Sequence, residues 1–382
     1  MKKRLLLAIT VYNGRPFVPQ CLESAKRLSQ TNVDIDVLVL DDQSPDREFS
    51  ADLEKLCGEI GAQYYCTPRN LGIPRNVNLG LLASIRGDYD YVVISNSDVI
   101  YAEHVMDQLA TVAETDESIG TVTAWSTNVS AYSLPNVDPD RFLSAQGVVD
   151  WLGASLSGLY GDTAIDIPAG ISFSMLVPVR LLGQIGLMDP VYGRGYCEEL
   201  DFCLRARSLG LRNVLAPGSF VYHSGGGSNR DAGLLSPGQT TVPANERIID
   251  HRYPMFREQV GSFFGSGILD DARKNATERI VQDAARQFGY FVRATWLPGR
   301  PAPDEYLTVE LCPDRDQLVA TAKFRGFEHA LEIDATDPLA SIVAALGGAQ
   351  PREATVLDRS KFGLALAHAW DSPISPEYPE RV

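Results

Sequence analysis

The first 95 residues alternate between apolar runs and stretches in which apolar residues recur at helical spacing. The apolar runs are typical of strands buried on both faces of a parallel sheet. The predicted strands are residues 4–10, 35–40, 62–66 and 91–95, and the predicted helices are residues 17–29, 49–60 and 73–84. This βαβα order predicts a sheet covered by helices, with ligands binding beyond the carboxyl ends of its strands.

The pattern changes further along the chain. Residues 125–187 are rich in Asn, Ser, Gly and aromatic residues, which predicts loops around a binding cleft. A helix is predicted at 198–209, and residues 245–295 are expected to be mostly helical, with an apolar stripe. The stripe is Val281, Ala284, Ala285, Phe288 and Val292. A Pro/Gly-rich linker at 296–305 precedes short strands in 306–334 and a helix near 338–346. We therefore predict a sheet domain (1–240), a helical extension (241–297) and a small α+β domain (298–382).

Composition narrows the class of protein. The 382 residues carry a net charge of −15, which argues against broad binding to nucleic acid or anionic lipid. The six cysteines form no C-x-x-C pair, which favours a reduced, cytoplasmic setting. The start "MKKRLLLAITVYNG" resembles a signal peptide, but its apolar run is short and no cleavage site follows, so a buried strand is the better interpretation. No apolar run is long enough to predict a transmembrane helix.

Polar residues follow the predicted strands at positions where a ligand would bind. Asp41 and Asp42 end the second strand, where a carboxylate can accept hydrogen bonds from a base or a ribose, although acidic residues also form ordinary turns there. In "YVVISNSDVI", Asp98 follows a fully apolar strand and can supply a hard oxygen ligand to a divalent cation. The alternative for Asp98 is a cap on the next turn.

The segment "RNLGIPRNVN" (69–78) combines a turn glycine with a proline suited to the first turn of a helix. Arg75 then lies where it can reach a phosphate. In isolation, a capped and solvated helix start is the better interpretation of the same residues.

The stretch "YCEELDFCLR" (196–205) places three carboxylates at the start of a predicted helix. Acidic residues there complement the helix dipole, and Asp201 can pair with Arg205 at i,i+4. Those effects explain one or two carboxylates but not all three. They also leave unexplained His223, which ends the strand-like run "SFVYH" shortly downstream.

Taken in order, these motifs resemble the inverting, nucleotide-sugar-dependent glycosyltransferases of family 2, which have the GT-A fold. The matching pieces cover roughly residues 4–230: "TVYNG", "VLVLDDQSPD", "RNLGIPRNVNLG", "ISNSDV", "GYCEELDFCLRARSLG" and "VYHSGGGS". The resemblance implies an α/β fold, a Rossmann-like mixed sheet flanked by helices, here followed by a helical segment and a small α+β domain.

The resemblance also implies roles for individual residues. The nucleotide-binding set is Thr10, Tyr12, Asn13, Asp42, Leu71, Gly72, Arg75, Asn76 and Ser97. Asp98 matches the last Asp of the family's DXD motif, whose first Asp is Asn96 here, and His223 matches a position that contacts metal or diphosphate. The cofactor is then Mn²⁺ or Mg²⁺. The glycine-rich stretch after His223 is similar to a lid over the donor.

The catalytic set that the resemblance implies is Glu199, Glu198 and Asp201. Glu199 matches the general base, and Asp201 is better placed to pair with Arg205. The family's usual Glu-Asp pair is Glu198-Glu199 here, which leaves the assignment of the base between the two open. The helix dipole is expected to keep that base ionised at neutral pH.

The expected activity is metal-dependent, inverting transfer of a hexose or deoxyhexose from a UDP- or dTDP-sugar to a hydroxyl, in glycan or polysaccharide assembly. The acceptor is a glycan, a lipid-linked sugar or a protein, and no nucleic acid partner is expected. The C-terminal region is open to homo-oligomer contact, acceptor docking or peripheral contact with the inner face of the membrane. One rival hypothesis is a sugar-phosphate nucleotidyltransferase, which requires a Gly-rich basic loop after the first strand that "TVYNGRPF" does not supply. The other is a catalytically silent nucleotide- or sugar-binding module.

Overall fold

The computed structural model describes residues 2–135, 143–225, 242–294, 306–314 and 317–356. The chain divides into two compact units, Met1–Leu269 and Asp270–Val382. The linker predicted at 296–305 and most of the glycine-rich stretch after His223 lie outside the described residues, so neither expectation is tested.

A nine-stranded mixed sheet forms the centre of the described part of the first unit. Its strands are β1 (Lys3–Val11), β2 (Val33–Asp41), β3 (Gln63–Cys66), β4 (Tyr91–Ser95), β5 (Val99–Tyr101), β6 (Ile119–Ser126), β7 (Ile165–Asp166), β8 (Ser174–Pro178) and β9 (Arg212–His223). The order is β3-β2-β1-β4-β8-β6-β9-β5, with β7 paired to β9. β1 runs parallel to β2 and β4, whereas β8 is antiparallel to β4 and β6. The predicted mixed α/β sheet is confirmed.

The helices of this unit begin and end at residues whose chemistry explains the boundary. They are α1 (Val18–Lys26), α2 (Arg47–Ile60), α3 (Ile73–Arg86), α4 (Val105–Glu114), α5 (Gln146–Tyr160), α6 (Leu182–Ile185), α7 (Glu198–Ser208), α8 (Val242–Arg252) and α9 (Phe256–Gly265). Asp46 caps α2 by accepting a hydrogen bond from Phe49 N, and Gly61 ends that helix in the left-handed region. Across the described ranges, no helix has both the length and the apolar character needed to cross a membrane.

The pairing register brings the polar strand ends together. Val11 pairs with Asp41, and Ile9 pairs with Ser95, so β1, β2 and β4 end at one edge of the sheet. β8 starts opposite Ser95 and runs the other way. The middle of β1, from Leu5 to Ile9, is almost fully buried, so the register is fixed by burial on both faces.

The prediction of loops throughout 125–187 is wrong in part. This region contains the 15-residue helix α5 and the central strand β8. The small residues of α5 resemble a loop composition, but in the structure they allow close packing. A Cβ on Gly153 would lie 2.7 Å from Cβ of Ala102. All five residues of β8 are buried, so the strand shows no alternation of polar and apolar positions.

The second unit, Asp270–Val382, is an α+β arrangement. A long helix, α10 (Ile268–Phe288), leads into a five-stranded sheet of order β13-β12-β11-β10-β14 within the described residues. The elements are β10 (Tyr290–Ala294), β11 (Leu307–Asp314), β12 (Gln317–Phe324), β13 (Phe327–Leu331), α11 (Pro338–Ala345) and β14 (Glu353–Val356). The helix expected to continue to residue 295 instead ends at Phe288, because Tyr290, Val292 and Ala294 point into the core of the sheet.

Candidate active site

The turn after β1 carries the first three residues of the predicted nucleotide pocket. Thr10 Oγ1 donates to the carbonyl of Ser95 at 3.3 Å, and Asn13 N donates to Ser44 Oγ at 2.9 Å. Asn13 has φ 58°, a left-handed conformation that Asn tolerates better than most residues. Thr10, Tyr12 and Asn13 are all partly exposed at the carboxyl edge of the sheet. Their position is compatible with ligand contact.

The adjacent aspartates after β2 have different environments. Asp41 is fully buried and accepts hydrogen bonds from Ser44 Oγ, Ser50 Oγ and Tyr64 Oη at 2.7, 2.7 and 2.9 Å. It therefore holds the start of α2 against β3. Asp42, the predicted base-binding residue, is 3% exposed.

Asp42 fixes the loop that precedes α3. Its carboxylate accepts from Leu71 N at 2.7 Å, Gly72 N at 2.9 Å and Thr67 Oγ1 at 3.2 Å. Burial raises the pKa of Asp42, and the main-chain hydrogen bonds from Leu71 and Gly72 oppose that rise. The geometry thus gives Asp42 a defined part in shaping the wall of the predicted nucleotide pocket.

The loop at 71–76 touches the segment that leads to the predicted catalytic helix. Gly72 has φ 81°, and a Cβ there would lie 2.4 Å from the carbonyl oxygen of Gly193. Ile73 N donates to the carbonyl of Arg194 at 3.2 Å. Asn76 is buried and donates to the Leu40 carbonyl at 3.0 Å, while Arg75 is exposed. Only glycine permits this approach, which joins two predicted functional segments.

Asp98 and His223, the predicted metal ligands, lie together. Asp98 Oδ1 is 3.2 Å from His223 Nε2, and the two side chains are 3% and 10% exposed. The pairing of Val99 with His223 in β5 and β9 and the hydrogen bond from Ser224 N to the Asp98 carbonyl fix this approach. The imidazole also stacks on Phe173, with 5.8 Å between ring centroids. Ser97 is 2% exposed and lies beside the turn after β1, since a Cβ on Gly14 would be 3.8 Å from its Oγ.

Asp98 and His223 would supply only two protein ligands to a metal ion. In the residues that the structure covers, no group of three or more His, Cys, Asp or Glu side chains is arranged to hold an ion. Mg²⁺ in nucleotide sites is usually held by one or two carboxylates, with phosphate oxygens and water as the remaining ligands. Asp98 with His223 fits that requirement if a bound diphosphate supplies the remaining oxygens.

The start of α7 is held in an uncommon conformation. Tyr196 and Cys197 have φ values of 70° and 75°, although neither is glycine. Such residues cost about 1–3 kcal/mol each and are found where the surroundings enforce them, often at functional sites. The Cys197 carbonyl accepts from Asp201 N at 2.9 Å and so begins the helix. The effect is to orient the first turn, which carries Glu198 and Glu199.

Glu198 and Glu199 each bury one carboxylate oxygen in the first turn of α7. Glu198 is 3% exposed, Glu199 is half-buried, and Oε2 of each is buried without a hydrogen-bond partner. Burial raises the pKa of Glu198 well above its ordinary value, and the Glu199 charge adds to that rise. Burial also raises the pKa of Glu199, against the effect of the helix's first N–H groups. The net shift is therefore opposite to that expected from the helix dipole, because desolvation outweighs it.

Asp201 occupies a different position from the two glutamates. It is fully buried, and its predicted pairing with Arg205 is confirmed by a 2.9 Å contact. Its other contacts are Arg252 Nη1 at 2.9 Å, Tyr253 Oη at 3.0 Å and Tyr192 Oη at 3.1 Å. A carboxylate with four such partners holds α7 against α8 and is poorly placed to receive a substrate proton.

α8 carries two residues next to the candidate site that no sequence motif predicts. Asn245 Nδ2 donates to the carbonyls of Tyr192, Gly195 and Tyr196 at 3.0, 2.8 and 2.8 Å. Arg252 bridges Asp189 and Asp201, at 2.9 Å to each. A single Asn and a single Arg on a polar helix carry no pattern that separates them from solvated residues.

A family model matches the N-terminal part of the chain. Residues 7–148, less than half of the chain, match the family model described as Glycosyl transferase family 2. Over this segment the match confirms the resemblance seen in the motifs. No significant match was found among curated proteins.

Several solved structures are similar in fold, at low identity. GalNAc-T7 with UDP, GalNAc and Mn²⁺ is 11% identical with a TM-score of 0.45, over 58% of this chain and 44% of that chain. The mannosyltransferase PcManGT from Pyrobaculum calidifontis with GDP-Man and Mn²⁺ is 15% identical with a TM-score of 0.44, over 75% and 76%. S. aureus TarS 1–349 with UDP-GlcNAc is 16% identical with a TM-score of 0.41, over 58% of each chain. Every TM-score is below 0.5, so these likenesses assign neither a substrate nor a metal to this chain.

Proposed function

We propose that this protein is a metal-dependent, inverting glycosyltransferase that moves a sugar from a UDP- or dTDP-sugar to an acceptor hydroxyl. The observation that carries the proposal is the Glu198–Glu199 pair. Two buried carboxylate oxygens without a hydrogen-bond partner lie at the start of α7, next to a segment that contacts the loop fixed by Asp42. Such groups are costly in a folded protein and are commonly retained for binding or chemistry.

In this proposal the donor binds along the carboxyl edge of the sheet. Thr10, Tyr12 and Asn13 contact the nucleoside, with Asp42 and the loop at 71–76 forming the opposite wall. Arg75 is exposed near that wall and can approach a phosphate. The proposal is supported by the shared edge of β1, β2 and β4, where such ligands usually bind.

Asp98 and His223 are the proposed metal ligands, and Ser97 lies beside them on the donor side. A bound Mn²⁺ or Mg²⁺ would supply positive charge to the diphosphate as it leaves. Both ligands follow or end strands of the same sheet, so their separation is set by main-chain pairing rather than by a mobile loop.

Glu199 is the proposed general base. It removes the proton of the acceptor hydroxyl while that oxygen bonds to the anomeric carbon, and the bond to the diphosphate oxygen breaks with its electron pair. Attack opposite the leaving group inverts the configuration. A raised pKa makes the carboxylate a stronger base once it is ionised, which suits proton abstraction. Glu198 is proposed to orient the acceptor, and Asp201 to position α7.

The proposal is tested by measuring nucleotide release from a panel of nucleotide-sugars with Mn²⁺ or Mg²⁺ and candidate sugar acceptors. We expect nucleoside diphosphate from at least one UDP- or dTDP-sugar, and no release after chelation of the metal. Donor binding without any release would favour the silent binding module. Release of pyrophosphate from a nucleoside triphosphate and a sugar phosphate would favour the nucleotidyltransferase.

A further inference from the structure

Asn245 lies near the start of α8, outside the residues matched by the family model. Its side chain is buried, with 4% of the residue exposed. One nitrogen atom, Nδ2, donates to three carbonyl oxygens, those of Tyr192, Gly195 and Tyr196, at 3.0, 2.8 and 2.8 Å. This residue therefore contacts one short loop three times.

Three carbonyls around one nitrogen impose a chemical requirement. The amide nitrogen of Asn245 has two hydrogens, which the three carbonyl acceptors must share. Because all three neighbours are acceptors, the side-chain atom that faces them must be the nitrogen and not the oxygen. A carboxylate at this position would face three acceptors with no donor, although its shape is nearly the same. The site consequently distinguishes Asn from Asp by hydrogen-bond polarity alone.

The carbonyls converge because the loop is tightly curled. Gly193, Gly195, Tyr196 and Cys197 have φ values of 64°, 135°, 70° and 75°. Non-glycine residues remain in this region only where neighbouring groups enforce it. The next residue is Glu198, so a change in the curl alters the direction in which the first turn of α7 presents both glutamates. The same loop contacts Gly72 and Ile73 of the predicted donor wall.

α8 has other contacts that hold it in place. Ile249 is buried in a small apolar cluster with Tyr192 and Leu204. Arg252 forms ion pairs with Asp189 and Asp201. Removal of the Asn245 amide should therefore leave α8 docked and release chiefly the loop at 192–197.

We propose that Asn245 is a positioning residue for the Glu198–Glu199 pair, acting through the three carbonyls of the loop at 192–196. This inference rests on the proposed function for its effect on turnover, but not for its effect on the loop. Asn245 itself touches neither the reacting atoms nor the predicted metal ligands.

The test uses the full chain with Asn245→Ala, Asn245→Asp and Asn245→Gln. Ile249→Val is the matched control, because it removes a buried methylene from the same helix and leaves the amide intact. Hydrogen exchange of the amides at 192–199 reports the loop, and kcat and nucleotide affinity report the site. Asn245→Ala should lower kcat about 10- to 100-fold, the loss expected when a catalytic group is displaced. Asn245→Asp should lower it more, and Asn245→Gln should recover part of the loss.

Nucleotide affinity should stay within about twofold in these variants, and loop exchange should rise in Ala and Asp but not in Ile249→Val. Loop exchange equal to wild type in Asn245→Asp would overturn the proposal. So would an unchanged kcat per folded molecule with a lower Tm, which indicates a stabilising role alone. If the wild-type protein releases no nucleotide from any donor, the proposed function fails, and hydrogen exchange still decides whether Asn245 holds the loop.

Discussion

His223 Nε2 lies 3.2 Å from Asp98 Oδ1, although 125 positions separate the two residues in the sequence. The contact follows from the sheet: β5 begins directly after Asp98, β9 ends at His223, and Val99 pairs with His223. Main-chain hydrogen bonds between β5 and β9 thus hold the Asp98 carboxylate next to the His223 imidazole. In the proposed function, these two residues would hold the metal that binds the donor's diphosphate.

Asp98→Ala and His223→Ala should each weaken UDP affinity chiefly when Mn²⁺ or Mg²⁺ is present, since each removes a proposed metal ligand. Calorimetric titration of UDP with the metal and with EDTA measures the difference. Asp116→Ala, a substitution of an exposed aspartate in a surface ion pair, is the control and should bind UDP like wild type. Equal losses with and without metal would show that the two residues bind nucleotide, or support packing, without a metal.

Gly72→Ala should prevent the contact between the donor loop and the segment before α7, because the new Cβ would lie 2.4 Å from the Gly193 carbonyl. With the strain of a φ of 81°, we expect a loss of more than about 3 kcal/mol in the free energy of unfolding, and weaker UDP binding. Gly61→Ala is the control, since φ is 75° but nothing lies within 4 Å. It should cost about 1–2 kcal/mol and leave UDP affinity unchanged. Urea unfolding measures the free energy of unfolding, and calorimetry measures UDP affinity. Similar effects from Gly72→Ala and Gly61→Ala would contradict the close contact between Gly72 and Gly193.

Asp201→Asn should act on stability. The substitution removes the charge that faces Arg205 and Arg252 in a fully buried position, and the loss of one partner of such a group costs about 3–5 kcal/mol. Asp250→Asn is the control, because its pair with Arg257 is solvent-exposed and should matter little. Urea unfolding at neutral pH gives both values. A stable Asp201→Asn variant that has lost turnover would instead assign Asp201 a direct part in the reaction.

Much of the fold could be predicted from local pattern. Up to Ser95, the apolar runs predict the strands and the helical spacing predicts the helices. Both are continuous, regular elements, here the strands of a parallel sheet and the helices that connect them. α5 and β8 could not be predicted in the same way. The glycines and serines of α5 suit close contact with the sheet, as at Gly153 and Ala102, but their composition is that of a loop. β10 follows a helix after one glycine, and its burial depends on strands far along the chain.

The motifs predict which residues form the candidate site, and the roles of those residues stay predictions. Asp98, His223 and the glutamates stand at strand ends or a helix start, and the structure places Asp98 and His223 in contact. The direction of the Glu199 pKa shift was not predictable, because it depends on how deeply the first turn of α7 is buried. Asn245 was not predictable either, since its role arises from three carbonyls that converge only in the folded loop.

The glutamate pair should make stability depend on pH. Burial raises the folded-state pKa of Glu198 and Glu199 above the ordinary value of 4.5, so the folded protein binds more protons than the unfolded chain. Their contribution to stability is present in full below about pH 4.5 and is lost as the pH rises through the folded-state pKa values. Glu198→Gln should therefore become more stable than wild type as the pH is raised toward 8. Melting temperatures across this range test it.

The control for that series is Glu48→Gln, which changes an exposed glutamate in the first turn of α2. Its effect on the melting temperature should be small beside that of Glu198→Gln, because the side chain is exposed. A stability gain for Glu198→Gln that is the same at low and high pH would contradict the raised pKa.

The most direct test of the central claim is the turnover of Glu199→Gln with the best donor and acceptor. The substitution keeps the size of the side chain and removes its basicity. We expect kcat to fall about 100- to 10,000-fold, equivalent to about 2.7 to 5.5 kcal/mol in the barrier, with UDP affinity nearly unchanged. Glu198→Gln should lose less. Normal turnover in Glu199→Gln would contradict Glu199 as the base; if Glu198→Gln were then inactive, the base would be Glu198.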